Sequence, residues 1–112
     1  MIDTYEFGRI VIGGQEYRAD VVVYPDRVDA SWWRAEGHSL CMADLAGALA
    51  AEPEVLVVGR GANGLMRVPE EVRQAVEARG IEIMAASTAE AVERYNALAG
   101  AKRVVAALHL TC

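Results

Sequence analysis

Residues 54–64, Glu-Val-Leu-Val-Val-Gly-Arg-Gly-Ala-Asn-Gly, limit the fold more than any other stretch, because an apolar run stops abruptly in a loop of three glycines and one arginine. Consecutive apolar residues leave no side for water, so the run reads as a buried strand. The glycines permit sharp backbone turns and leave amide N–H groups uncovered, while Arg60 supplies positive charge suited to a carboxylate or phosphate. Beyond the loop, Pro69 stands where helices favour proline, Glu70 and Glu71 suit the positive end of the helix dipole, and Val72, Ala75 and Val76 share one face. Gly80 ends this helix and residues 81–85 form a short apolar strand. Strand, helix and strand joined by a crossover of this length predict parallel pairing through a right-handed connection.

The flanking segments predict the rest. Residues 5–12 and 15–24, rich in Val, Ile, Tyr and Phe, flank Gly13-Gly14 and read as a β-hairpin. Residues 28–33 add an extended piece before the polar loop 34–39. Asp44 is placed to cap a short helix through Glu52, with Leu45, Ala48 and Leu49 at helical spacing and Pro53 as its stop. Ser87 and Glu90 have the capping-box spacing, and the helix they open carries Ala91, Val92, Tyr95 and Leu98 on one side before Gly100. Residues 103–110 are almost unbroken Val, Ala and Leu, the pattern of a central strand covered on both faces. Its alternation sets Arg103, Val105, Ala107, His109 and Thr111 on one face and Val104, Ala106, Leu108 and Leu110 on the other.

A chain of 112 residues with 54% hydrophobic and 24% charged residues suits one α/β domain with a single core. Its net charge of −5 opposes nucleic acid and anionic membrane surfaces as partners. The start lacks the basic and apolar segments of a signal peptide, and no apolar run approaches the roughly 18 residues of a membrane span. Cys41 and Cys112 are too few for a disulfide framework and read as reduced thiols, so the expected location is the cytoplasm.

Three clusters are candidates for function. Gly59, Gly61 and Gly64 match G-x-G-x-x-G, but the dinucleotide fingerprint needs its helix to open within the glycines, and Leu65-Met66-Arg67-Val68 intervene before Pro69. No Gly-Lys-Ser/Thr follows for a phosphate loop of the Walker type, so no cofactor is expected. Trp32-Trp33-Arg34-Ala35-Glu36-Gly37-His38 offers a stacked cationic wall and an exposed histidine; alternatively one tryptophan plugs the core under the hairpin, Arg34 and Glu36 are solvated, and His38 bonds to backbone. His109-Leu110-Thr111-Cys112 ends the last strand with polar groups beside the glycine loop, as in a crevice at the carboxyl edge of a sheet. His38, Cys41, His109 and Cys112 lack the paired spacing of zinc sites, and no metal is expected. A Cys112 nucleophile with His109 as its base is a further arrangement the residues allow.

Several segments together resemble a known family. Trp33-Arg34 with Gly37-His38, Leu56-Val57-Val58-Gly59-Arg60-Gly61, Met66-Arg67-Val68-Pro69, Gly80-Ile81, Thr88 with Ala91-Val92, Tyr95-Asn96-Ala97-Leu98, Arg103-Val104 and His109-Leu110-Thr111-Cys112 are similar to the small-domain family of the adipogenesis-associated domain-containing protein. A mitochondrial complex I assembly factor is a more distant relative that does not keep the His-x-Thr-Cys ending. The resemblance implies a three-layer α/β fold with a central mixed sheet, flanking helices and an additional N-terminal β-hairpin, and no established enzymatic activity.

Two functions follow from these residues. In one, the domain is a non-catalytic interaction or assembly module that presents Trp33, Arg34 and Arg60 to a protein partner or to a second copy. In the other, a small anion or metabolite binds between the loop of Gly59, Arg60, Gly61 and Asn63 and the terminal strand with His109 and Thr111, His38 or His109 moving a proton. Asn96, in the family-like segment, suits a cap, a loop contact or a pocket.

Overall fold

In the computed structural model, which describes residues 1–112, the chain opens with β1 (Ile2–Glu6), β2 (Arg9–Ile12) and β3 (Gln15–Tyr17), an antiparallel sheet of their own. β4 (Val21–Val23) and β5 (Val28–Asp29) follow, then a 3-10 turn (Met42–Leu45) that runs into α1 (Ala46–Ala50). β6 (Val55–Arg60), α2 (Glu70–Glu77), β7 (Glu82–Ala86), α3 (Thr88–Leu98) and β8 (Val104–His109) complete the chain. The main sheet has the order β5-β4-β8-β6-β7; β6 runs parallel to β7 and β8, and β4 is antiparallel to β8.

The mixed sheet is therefore filled by the segments with no polar face. β8 and β6 lie inside it, and all of Val55–Gly59 and Val104–Leu110 are buried. The expected alternation of the last strand holds. Val105 and Ala107 join Leu45, Ala48, Leu49, Val72 and Val76 of the α1 and α2 side, while Val104, Ala106, Leu108 and Leu110 pack with Ala91, Val92 and Tyr95 of α3 and with Ile2, Ile10 and Ile12 of the small sheet. The core is thus divided between the two faces of the sheet rather than single, because the buried sheet has apolar side chains on both sides, and the result is three layers.

Four boundaries differ from expectation. The Gly13-Gly14 turn exists, both residues having positive φ of 55° and 82°, as a two-residue turn between twisted strands requires. Residues 5–12, however, contain a second turn at Phe7-Gly8, so the front is a three-stranded meander rather than one hairpin. Residues 15–24 are divided, because residues 18–20 break the run and Val21–Val23, buried on both faces, joins the main sheet instead. Asp44 sits inside the 3-10 turn, where its carboxylate accepts the Cys41 and Ala35 amides at 2.9 and 3.0 Å rather than capping a helix through Glu52. Ser87 precedes α3 without a side-chain cap bond; its carbonyl accepts the Ala91 amide at 2.8 Å.

Candidate functional site

Three polar side chains distant in sequence meet where β8 ends. Asp20, just before β4, receives Arg34 Nη1 at 2.8 Å and His109 Nδ1 at 2.8 Å on Oδ2, and the Leu110 amide at 2.8 Å on Oδ1. Arg34 Nη2 donates to the Gly37 carbonyl at 3.4 Å and lies 3.1 Å from His109 Nδ1. A guanidinium and a carboxylate cannot both be satisfied by the same ring nitrogen: the shorter contact with Asp20 assigns Nδ1 as the N–H donor. The Arg34 and His109 side chains are only 7% and 8% exposed, and Arg34 Nε and His109 Nε2 are buried without partners. Burial works to raise the Asp20 pKa, but the Leu110 amide, the His109 ring and the Arg34 guanidinium outweigh it and hold the carboxylate below the usual aspartate range. Tyr5 closes the cluster's other side by donating its hydroxyl to the Leu110 carbonyl at 2.8 Å, and burial is the first cause of its raised pKa.

Chemically this cluster is a clamp. Arg34 lies in the segment 31–37, which has no regular structure beyond its bonds, and a buried ion pair fixes that segment to the end of the central strand. Its guanidinium carbon stands 4.7 Å from the Trp32 ring centre, and Trp32 Nε1 donates to the Asp44 carbonyl at 3.0 Å. The stacked arginine and tryptophan are thus Arg34 and Trp32, both inside. One tryptophan does fill the core and Glu36 is exposed, but Arg34 is buried rather than solvated, and Trp32 plugs the α1 side of the core rather than the space under the small sheet.

The glycine loop is sewn to the same strand end. The Gly61 amide donates to Thr88 Oγ1 at 2.9 Å, that hydroxyl donates to the His109 carbonyl at 2.6 Å, and the Ala62 amide donates to the Thr111 carbonyl at 2.7 Å. Gly61 has φ 98°, and a Cβ there would stand 2.6 Å from the backbone of Thr111 and Cys112; at Gly59 it would stand 2.8 Å from Thr88 Oγ1. Gly61 therefore lets backbone pack on backbone, and Gly59 leaves room for the Thr88 and Leu108 side chains. Arg60 Nε donates to the Met66 carbonyl at 2.8 Å and braces the loop from within. No crevice opens between loop and strand. The one concavity, about 260 Å³, lies at the opposite end of the sheet among Leu49, Glu52, Glu54, Arg79 and Arg103.

Large apolar side chains face water at the carboxyl end, beside the exposed His38 and Asn63. Trp33 is 76% exposed, Leu65 56% and Phe7 63%, three of the four large hydrophobic residues the fold leaves outside. Each is carried by a segment held to residues 109–112: the Asp20 carboxylate joins Arg34 of the Trp33 segment to His109 and the Leu110 amide, Ala62 ties the Leu65 loop to Thr111, and the Gly8 amide ties the Phe7 turn to the Leu110 carbonyl at 2.9 Å. His38 is exposed with Nε2 3.9 Å from Cys112 Sγ. Asn63 is exposed at the loop tip. Asn96 lies apart from the others; its side chain accepts the Ile2 amide at 3.0 Å and donates to the Ile2 carbonyl at 2.8 Å, pinning β1 onto α3.

The family described as "Protein of unknown function (DUF498/DUF598)" matches residues 2–109. The chain belongs to that family. It is similar to a conserved hypothetical protein, PH1505, from Pyrococcus horikoshii OT3, at 30% identity and a TM-score of 0.87, over 100% of this chain and 99% of that one. The protein MT938 shares 27% identity with a TM-score of 0.84, over 100% and 98%. A structure described as an outer membrane protein from Bartonella henselae shares 26% identity with a TM-score of 0.81, over 99% and 94%. No helix of the present chain is long and apolar enough to cross a membrane.

In this DUF498/DUF598 domain, Trp33, Arg34, His38, Gly59, Arg60, Gly61, Asn63, His109 and Thr111 all lie at or around one end of the sheet, and Asn96 does not. Two organising residues escaped the sequence reading. Asp20 is an isolated acid beside a valine run, with partners 14, 89 and 90 positions away, and nothing local marks it. Thr88 entered only as a position of family resemblance, although its hydroxyl joins the glycine loop to β8.

Proposed function

We propose that this domain is a non-catalytic interaction module whose binding face is the carboxyl end of the main sheet. The observation that carries the reading is the exposure of Phe7, Trp33 and Leu65 on three segments that are all held to residues 109–112. Exposed aromatic and aliphatic side chains held on rigid supports favour protein partners, since they lose little freedom on binding. The polar groups behind them are already paired. His109 is 6% exposed and oriented by Asp20, and the loop amides of Gly61 and Ala62 are occupied, which counts against proton transfer and anion binding there. Arg34 contributes by positioning Trp33, and Arg60 by bracing Leu65, rather than by direct contact.

Within its family we place the chain near the adipogenesis-associated type, on the strength of the His109-Leu110-Thr111-Cys112 segment that the other loops surround. A cytoplasmic location agrees with two unpaired cysteines. The test is affinity capture from the native host with the wild-type chain and with Trp33→Asp/Leu65→Asp. The double variant should keep its circular dichroism and melting temperature and lose the captured partner; capture at the wild-type level would overturn the reading.

A further inference from the structure

His38 and Cys112 come from segments 74 positions apart, yet Nε2 and Sγ stand 3.9 Å from one another on the surface side of the clamp. Two ligands of one tetrahedral zinc ion, with zinc–sulfur and zinc–nitrogen bonds of about 2.3 and 2.0–2.1 Å, stand about 3.5 Å apart. A small side-chain rotation closes the difference. The backbone carrying both ligands is fixed: the His38 carbonyl accepts the Arg67 amide at 2.8 Å, and Thr111, beside Cys112, accepts Ala62. The pair thus has close to the separation of two ligands on one zinc ion.

No third ligand comes from the same chain, which has no group of three histidine, cysteine or acidic side chains able to hold a metal. His109, the other histidine, is turned into the protein by Asp20, and Cys41 donates its amide to Asp44 on the neighbouring turn. A closed zinc site needs four ligands, and a two-fold axis supplies the missing two from an identical pair. The same axis would bring together the carboxyl ends of two copies, where the exposed Trp33, Leu65 and Phe7 are carried on segments held to residues 109–112. We infer that His38 and Cys112 form half of a zinc site that is completed by a second copy of this chain, so that Zn²⁺ bridges a symmetric dimer through the carboxyl end of the sheet. This rests on that end being an interface and names its occupant.

The test is zinc titration of the metal-free chain under a phosphine reductant, followed by light scattering after gel filtration and by metal analysis. The wild-type chain should bind about half an equivalent of zinc per chain and double in mass, and a chelator should return it to monomer. His38→Ala and Cys112→Ser should each weaken zinc binding by at least about 100-fold and stay monomeric, with melting temperatures close to wild type. Cobalt in place of zinc should show thiolate-to-metal charge transfer, lost in Cys112→Ser. A full equivalent of zinc on a monomer, a dimer that survives chelation, or no zinc binding would each overturn the inference. If zinc does nothing while partner capture still depends on Trp33 and Leu65, the metal bridge fails and the interface stands. Zinc-driven dimers of the Trp33→Asp/Leu65→Asp chain would support the bridge and sink the apolar interface.

Discussion

The two ends of β8 are made from similar residues and treated in opposite ways. At its amino end, Arg103 donates Nε to the Glu52 carbonyl at 2.6 Å and its amide to Glu54 Oε2 at 2.7 Å, all at the rim of an open depression. At its carboxyl end, Asp20, Arg34 and His109 are withdrawn from water while Phe7, Trp33 and Leu65 stay exposed. Charged groups at the first end are solvated and replaceable; at the second each depends on the others, because a buried charge without its partner is costly. The carboxyl end is therefore a rigid mount for the loops, and the amino end is ordinary surface.

Removing the shared carboxylate should break this contrast most strongly. Asp20→Ala leaves Arg34 buried without its counter-ion and frees the Leu110 amide and His109, and should cost about 3–5 kcal/mol in urea denaturation. The dependence on pH identifies the cause. The folded pKa of Asp20 lies below its unfolded value, so its contribution is fully present above about pH 4 and is lost as pH falls through the folded pKa. Wild-type stability should therefore decline on acidification in a part that Asp20→Asn lacks. Equal acid profiles for the two chains would show that the ion pair is not what holds the mount.

Gly61→Ala probes the same end through the backbone. A methyl group there meets the Thr111 and Cys112 backbone at 2.6 Å, and φ of 98° disfavours any side chain, so a loss of about 1–3 kcal/mol is expected. Gly64→Ala, with φ 66° but open space around its Cβ position, should cost less. A loop that bound a ligand through its free amides would show the reverse emphasis, with stability little changed and ligand stabilisation lost; a thermal melt of each variant decides between them.

How much of this was legible in the sequence follows the range of the interactions. Periodicity and uninterrupted apolar runs located β6, β7, β8, α2 and α3 and even the sidedness of β8, because those patterns are local responses to burial on one or two faces. The front was read as one hairpin since Phe7-Gly8 gives a weaker turn signal than Gly13-Gly14, and the break at residues 18–20 carries no Pro or Gly. The candidate site was legible as an address, not as a mechanism. Glycines at 59 and 61 pointed to close approach, but what approaches is the chain's own Thr88 and Thr111–Cys112, which only the tertiary fold brings near. Trp32 and Trp33 are adjacent and chemically identical, and their opposite fates follow from long-range bonds, since Trp32 alone is held by the Asp20 and Asp44 carbonyls.

The smallest expected effect lies at the other end of β8 and decides whether the contrast is real. Arg103 is exposed, and although its contact with the Glu52 carbonyl is short, water can replace a donor lost from the rim. Glu52, whose backbone is left-handed at φ 50°, is also held by its amide, which donates to the Leu49 carbonyl at 3.0 Å. Arg103→Ala should therefore change stability by less than about 0.5 kcal/mol. A loss comparable to that of Asp20→Ala, read in the same urea titration, would mean that Arg103 bears load across the strand starts and that the two ends of the sheet are equally built.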